Sequence, residues 1–239
     1  MKRLILFAGI FSLHAICFSQ KSKTKPVAAT AKISLKTAKD TLSYAIGAGV
    51  ADNLVKQGIS DINYALVQKA MEDVFKKRTR LLDENTVNMS IQKKLQEAAM
   101  KRLQTEKDKG AAFLAQNKKR KEVITLENGL QYEIIDSPSD TAAKPTAEDT
   151  VVVNYVGTLI DGTEFDNSVK RGQAATFPVN GVIKGWTEIL QLMPVGSKWK
   201  VYIPSELAYG DRGAGGSIPG GAALIFEISL EGIKPKANQ

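Results

Sequence analysis

Histidine and cysteine are almost missing from this chain: among 239 residues there is one of each. Both, His14 and Cys17, fall within residues 1–19. Those residues have the composition of an export signal, with Lys2 and Arg3 ahead of an apolar stretch over 4–18 and small residues after it. Cys17 and Ser19 stand at positions −3 and −1 of a cleavage site before Gln20. Residues 20–239 would then contain neither His nor Cys. That excludes Ser–His–Asp and Cys–His nucleophiles and any histidine base. It also excludes zinc, haem and iron–sulfur sites built on these ligands, so no metal or other cofactor is expected. Disulfides are excluded too, although an exported chain would be free to form them. Carboxylate or lysine catalysis, binding, or a reaction that needs no nucleophile remains.

Long hydrophobic runs are scarce as well. The stretch 4–18 is shorter than the ~20 residues that span a bilayer, and no second candidate follows, so no membrane span is expected. A lipid anchor on Cys17 is the other reading of this segment. His14 and Ile16 are poor neighbours for lipoprotein processing, so a soluble exported chain is the expectation.

What is present is an asymmetry of charge. Residues 20–122 hold 22 Lys and Arg against 11 Asp and Glu, whereas residues 123–239 hold 9 against 14. Two modules are expected from such a split. The positive charges are interspersed with acidic residues and no aromatics alternate with them. The basic half therefore reads as a solvated helical surface, with no nucleic-acid partner. Residues 20–34 have almost nothing to bury and read as a flexible lead.

From Asp40 the pattern is helical. Leu42, Ala45, Ile46, Gly49, Val50 and Leu54 follow the spacing of one apolar face, and Gly58 stands where the helix should stop. Gly47 and Gly49 do not open a dinucleotide fingerprint, because Asp52 occupies the third glycine position and no strand precedes. A second helix is expected from Ser60 or Asp61 as N-cap, with Tyr64, Val67, Met71, Val74 and Phe75 as its stripe. Asp83 opens a third that runs to about Asn117, with Gly110 as its weak point at a cost of ~1 kcal/mol. So long a helix with scattered apolar residues must be a spacer or a partner surface. Fewer than about 90 residues make a poor monomeric core, so a homodimer through residues 35–122 is expected.

At Val123 the period changes from 3.6 to 2. Asn128-Gly129 marks a hairpin, followed by alternation at Leu130, Tyr132 and Ile134. A loop spans 137–149, and Val151, Val153 and Tyr155 alternate again before a turn at Asp161-Gly162. Strands are expected at 176–179, 198–203 and 223–230, a turn at 194–196 and one short helix at 184–192. Five or six strands around one helix make an antiparallel α+β domain over 123–235.

The runs VNYVGTLIDGTEFDNS (153–168), RG (171–172), VIKGW (182–186), LMPVGSKW (192–199), IPSELAYG (203–210), IP (218–219) and LIFEISL (224–230) resemble the FKBP-type peptidyl-prolyl isomerases. GAAFLAQN (110–117) and ENGLQY (127–132) are similar to the helical dimerisation half of the macrophage infectivity potentiator (Mip) subgroup. The resemblance implies a V-shaped periplasmic homodimer, an all-helical N-terminal domain with a long connecting helix, and a sheet wrapped around one short helix. Its substrates would be proline-containing unfolded or exported polypeptides, and a macrolide ligand is within what the family implies.

By position, Trp186 would floor the pocket, with Tyr155, Phe165, Val182, Ile218 and Phe226 lining it. The Ile183 N–H and the Tyr209 hydroxyl would bind substrate carbonyls. Asp166 and Arg171 would form a polar pair at the rim, with Asp166 as a positioning group rather than a base. Taken singly, Phe165, Ile218 and Phe226 read equally well as core residues, and their joint spacing is what lifts them. Ala175, Ala214 and Ser217 depart from frequent family residues. The competing reading is a dimeric holdase chaperone in which isomerisation is secondary.

The implied reaction suits the composition. Twisting an X–Pro amide costs ~18–20 kcal/mol of lost resonance, but no covalent bond breaks. A ~10⁴-fold acceleration needs only ~5.5 kcal/mol, within reach of desolvation and a few directed hydrogen bonds.

Overall fold

A computed structural model describes residues 34–138 and 142–234 of the chain. The export segment, its cleavage site, Cys17 as a lipid attachment point and the lead up to residue 33 lie outside the described residues. Two compact units are present, one ending at Gly49 and the other beginning at Val50. No described helix is long and apolar enough to cross a membrane.

Helix α1 (Ala38–Lys56) begins two residues earlier than the apolar period suggests, because Thr37 and Asp40 form a reciprocal cap. The Thr37 N–H donates to Asp40 Oδ2 at 2.9 Å and the Asp40 N–H to Thr37 Oγ1 at 3.1 Å. It ends at Lys56, and the chain turns away at Gly58, whose φ of +82° is cheap only for glycine. Helix α2 (Tyr64–Phe75) starts later than expected. Neither Ser60 nor Asp61 caps it. Asn63 does, accepting from the Leu66 N–H at 3.2 Å. The expected stripes are in place but uncovered: Leu42, Ile46, Val50, Tyr64, Val67, Met71, Val74 and Phe75 are all exposed.

Helix α3 (Glu84–Asn117) runs 34 residues, about 50 Å, from an Asp83 cap to Asn117 as expected. Two expectations about it are corrected. Gly110 is not a weak point but a buried close contact, where an added Cβ would lie 3.1 Å from the Ala223 Cβ. The last turns of α3 are also neither spacer nor free surface, since they seat on the sheet. The Phe113 and Tyr202 rings lie 6.0 Å apart. Asn117 Nδ2 donates to Gln131 Oε1 at 2.9 Å, and Gln131 Nε2 donates to the Leu114 carbonyl at 3.0 Å. Just beyond the helix, Arg120 reaches the Tyr202 hydroxyl and Glu133, each at 2.9 Å.

The rest is an antiparallel sheet of seven strands rather than five or six. They are β1 (Ile124–Thr125), β2 (Gln131–Asp136), β3 (Thr150–Leu159), β4 (Glu164–Asn167), β5 (Ala175–Pro178), β6 (Lys198–Ile203) and β7 (Leu224–Lys234). Their order is β1-β2-β6-β7-β3-β4, with β5 also paired to β3. At four residues, β4 is too short to display alternation. The one helix of this half, α4 (Lys184–Leu192), has the expected bounds. Alternate residues of β3 (Val151, Val153, Tyr155), β6 (Val201, Ile203) and β7 (Phe226, Ile228, Leu230) are buried with Trp186, Ile189 and Leu190 of α4. The helix comes so close that a Cβ on Gly185 would lie 2.6 Å from Ile203 Cγ2. The architecture is therefore α+β, helices first and then an antiparallel sheet covered by one helix.

Asn117 and Gln131 are both buried, so removing one amide strands the other. Asn117→Ala is expected to lower unfolding free energy by about 1–3 kcal/mol. Urea unfolding followed by tryptophan fluorescence measures it, and an unchanged midpoint would count against this contact.

Candidate active site

Between α4, β3, β5 and the segment before β7 lies a cleft of about 660 Å³. Its floor is Trp186, only 4% exposed. Three rings meet this indole almost edge-on: Tyr155 at 5.1 Å and 89°, Phe226 at 5.2 Å and 82°, and Phe177 at 5.9 Å and 86°. Phe165 in turn stands edge-on to Phe226 at 5.5 Å. Each such pair contributes about 0.5–1.5 kcal/mol beyond its buried area. The Trp186 Nε1–H is buried and finds no acceptor among the described residues.

Local backbone geometry puts the indole there. A single 3₁₀ turn over Val179–Gly181 ends at Val182, which is extended, and Ile183 then caps α4 at φ −60°, ψ 150°. The Ile183 carbonyl accepts from the Trp186 and Thr187 N–H groups at 2.9 and 3.0 Å. Its own N–H, as that of an N-cap, stays outside the helical ladder. The Thr187 hydroxyl ties the helix back to the Val179 carbonyl at 2.8 Å.

At one rim the Tyr155 hydroxyl donates to Asp166 Oδ2 at 2.5 Å and accepts from Arg171 Nη2 at 3.0 Å. Arg171 Nη1 pairs with Asp166 Oδ1, and its guanidinium carbon lies 5.6 Å from the Tyr155 ring centre. Asp166 Oδ1 also accepts from the Asn167 N–H at 2.8 Å. Burial works to raise the Asp166 pKa, but the hydrogen bonds from Tyr155 and Arg171 with the arginine charge outweigh it, leaving the carboxyl below its usual range. For Tyr155, burial first and the bond to Asp166 second push the phenol upward. The hydrogen bonds from Tyr155, Arg171 and the Asn167 N–H hold Asp166 at the rim as an ionised carboxylate.

Tyr155, Phe165, Asp166, Val182, Ile183, Trp186, Tyr209, Ile218 and Phe226 all line this one cleft. Arg171 stands behind them, reaching the cleft through Asp166 and Tyr155. Tyr209 is 40% exposed, and no partner for its hydroxyl exists among the described residues. Ala214 and Ser217 line the wall near Ile218. No described group of three or more His, Cys, Asp or Glu side chains could hold a metal ion.

Two contributors escaped the sequence reading. Phe177 faces the cleft from β5, and the apolar alternation of 175–178 was its signal. Gly157 lies beneath the rings, where an added Cβ would approach Phe165 Cε2 to 2.7 Å and Phe226 Cε1 to 2.8 Å. A glycine inside a strand is the sequence mark of such an approach. Gly157→Ala is expected to displace both rings and lower stability by about 1–3 kcal/mol, measured by urea unfolding. An unchanged midpoint would mean that the rings yield without cost.

Residues 141–231 match the family described as FKBP-type peptidyl-prolyl cis-trans isomerase. Residues 39–134 match that described as the domain amino terminal to FKBP-type peptidyl-prolyl isomerase. The outer membrane protein MIP of Legionella longbeachae is 46% identical over 245 residues, covering 99% of this chain and 100% of its own. The FKBP-type peptidyl-prolyl cis-trans isomerase FkpA of Aeromonas hydrophila is 42% identical, covering 91% of this chain and 85% of its own. The crystal structure of FkpA from Escherichia coli superposes with a TM-score of 0.69 at 32% identity, covering 84% of this chain and 99% of that one. By its sequence over nearly the whole length, and by its fold, the chain belongs to the FKBP-type peptidyl-prolyl cis-trans isomerases that carry an amino-terminal helical domain, as the Mip and FkpA proteins do.

Proposed function

We propose that this isomerase acts on X–Pro bonds of exported polypeptides by desolvating the amide over Trp186, without covalent or acid–base chemistry. One observation carries the reading: five aromatic rings and the indole converge on one cleft in a chain whose only His and Cys precede residue 20. The planar amide has the more polar oxygen, so a dry aromatic pocket disfavours it relative to the twisted state. The proline ring would lie on the indole. The Ile183 N–H and the Tyr209 hydroxyl, both without partners among the described residues, would take the flanking carbonyls. Asp166, held ionised by Tyr155 and Arg171, would fix the rim and the field near the twisting bond.

The helical half supports a homodimer. A groove of about 430 Å³ between α2 and the start of α3 is walled by apolar residues including Leu66, Val74, Leu81 and Val87. With the exposed stripe of α2, it is a surface that a second copy would cover. The export signal and the envelope relative above support a destination outside the cytoplasm. The same uncovered stripes are what a holdase would present to unfolded chains, so dimerisation and holding compete for one surface.

A protease-coupled assay on a short proline peptide tests the reaction. Trp186→Leu should remove about 2 kcal/mol of transition-state stabilisation, roughly a 30-fold loss in kcat/KM. Wild-type activity at that position would overturn the pocket. Between pH 5 and 8 kcat/KM is expected to stay flat, because Asp166 loses its proton below its ordinary range and Tyr155 keeps its own above it. A limb near pH 6–7 would mean proton transfer and refute the mechanism. Sedimentation of the full chain should give a dimer, and a monomer at micromolar concentration would refute the helical interface.

A further inference from the structure

One wall of the cleft is built on α3 as much as on the sheet. The segment between β6 and β7 supplies Tyr209, Ala214, Ser217 and Ile218 to the cleft. It is closed on itself. The Gly221 N–H donates to the Gly210 carbonyl at 2.9 Å, and Ala214 and Ile218 exchange two backbone hydrogen bonds at 3.0 Å each. Gly213 and Gly220 are packed so tightly that a Cβ on either would run into opposing backbone, the Ile218 and Asp211 carbonyls respectively. A segment tied and packed in this way moves as a tile rather than as a floppy loop.

The side of the tile that does not line the cleft rests on α3. Lys107 Nζ pairs with Asp211 at 2.6 Å. A Cβ on Gly221 would meet the Lys107 Cγ at 2.9 Å and both the side chain and the carbonyl of Leu103 at 3.0 Å. One turn further along, Gly110 lets α3 close on Ala223, where the tile joins β7, leaving 3.1 Å for an added Cβ. Three successive positions on one helix face, Leu103, Lys107 and Gly110, therefore meet the tile at 211, 221 and 223.

Resting on the pocket assignment above, we infer that Leu103, Lys107 and Gly110 are positioning residues for the isomerase reaction. Through them, the seat of α3 sets where Tyr209 and Ile218 stand over Trp186. The long helix is then part of the pocket's support, and a shift of the helix on its seat alters substrate binding. None of the three touches the cleft, so they act only through the tile.

Two kinds of variant in the full-length chain test this. Gly110→Val wedges α3 away from Ala223 and is expected to raise KM for a proline peptide several-fold with a smaller change in kcat. A folded Gly110→Val protein with wild-type KM and kcat would overturn the inference. Because that variant could fail to fold, the ion pair gives a second route. Lys107→Glu and Asp211→Lys should each raise KM by about two- to five-fold, the scale of one exposed ion pair. The double swap, and Lys107→Arg, should restore it. Equal KM in all of these, or losses that the double swap does not recover, would overturn it. Lys119→Met, which removes a charge beyond the seat, serves as the control. A wild type without turnover would sink the pocket assignment itself, an outcome distinct from either result.

Discussion

The edge-on packing of Tyr155, Phe177 and Phe226 around Trp186 is the constraint from which most of the catalytic half follows. An indole can floor a cleft only if its own face is held still, and three near-perpendicular rings hold it from three strands, β3, β5 and β7. Each strand must therefore deliver an aromatic at one depth, which fixes the register of β3 against β7 on one side and β5 on the other. Gly157 sits opposite Phe226 in that register and leaves the space the rings need. Gly185 does the same between α4 and Ile203. Both glycines are concessions of backbone to aromatic volume, and neither involves a positive φ.

The electrostatics fit a pocket that works by exclusion. The polar groups at the rim pair with one another: Asp166 takes Tyr155, Arg171 and the Asn167 N–H, and the Tyr155 hydroxyl both donates and accepts. Near the floor the Trp186 Nε1–H, the Ile183 N–H and the Tyr209 hydroxyl find no partner among the described residues, and all three can donate. Hydrogen bonds of this kind can grip an amide without transferring a proton. The loss of His and Cys thus costs this chemistry nothing.

Much of this was legible in the sequence, and the rest fails for two reasons. Helix α4 and strand β6 have the expected bounds because their signals are local: period, turn residues and apolar alternation within ten residues. The end of α3 at Asn117 was equally plain. The start of α2 was misplaced because Ser60, Asp61 and Asn63 are all competent caps, and only the geometry of the Leu66 N–H selects among them. Gly110 was misread for a different reason. In sequence a glycine in a long helix looks like a flaw, whereas its cause is Ala223, more than a hundred residues away. Phe177 and Gly157 do carry local marks, an apolar alternation and a glycine inside a strand, but the partners that give them their place come from other elements.

The same long-range contacts change what the helical half means. By composition it is a separate basic module, and by periodicity α3 is a rod without a core of its own. Yet its final turns bury Gly110 and Asn117, bond Gln131, and bring Phe113 near Tyr202 in a tilted contact, so the helix ends inside the packing of the sheet. The end of α3 is thus joined to the segment that walls the pocket, through Lys107 on Asp211 and Gly110 on Ala223. Charge asymmetry marks where the chain changes composition, whereas buried amides and close glycines mark where it is mechanically joined, and here the two boundaries do not coincide.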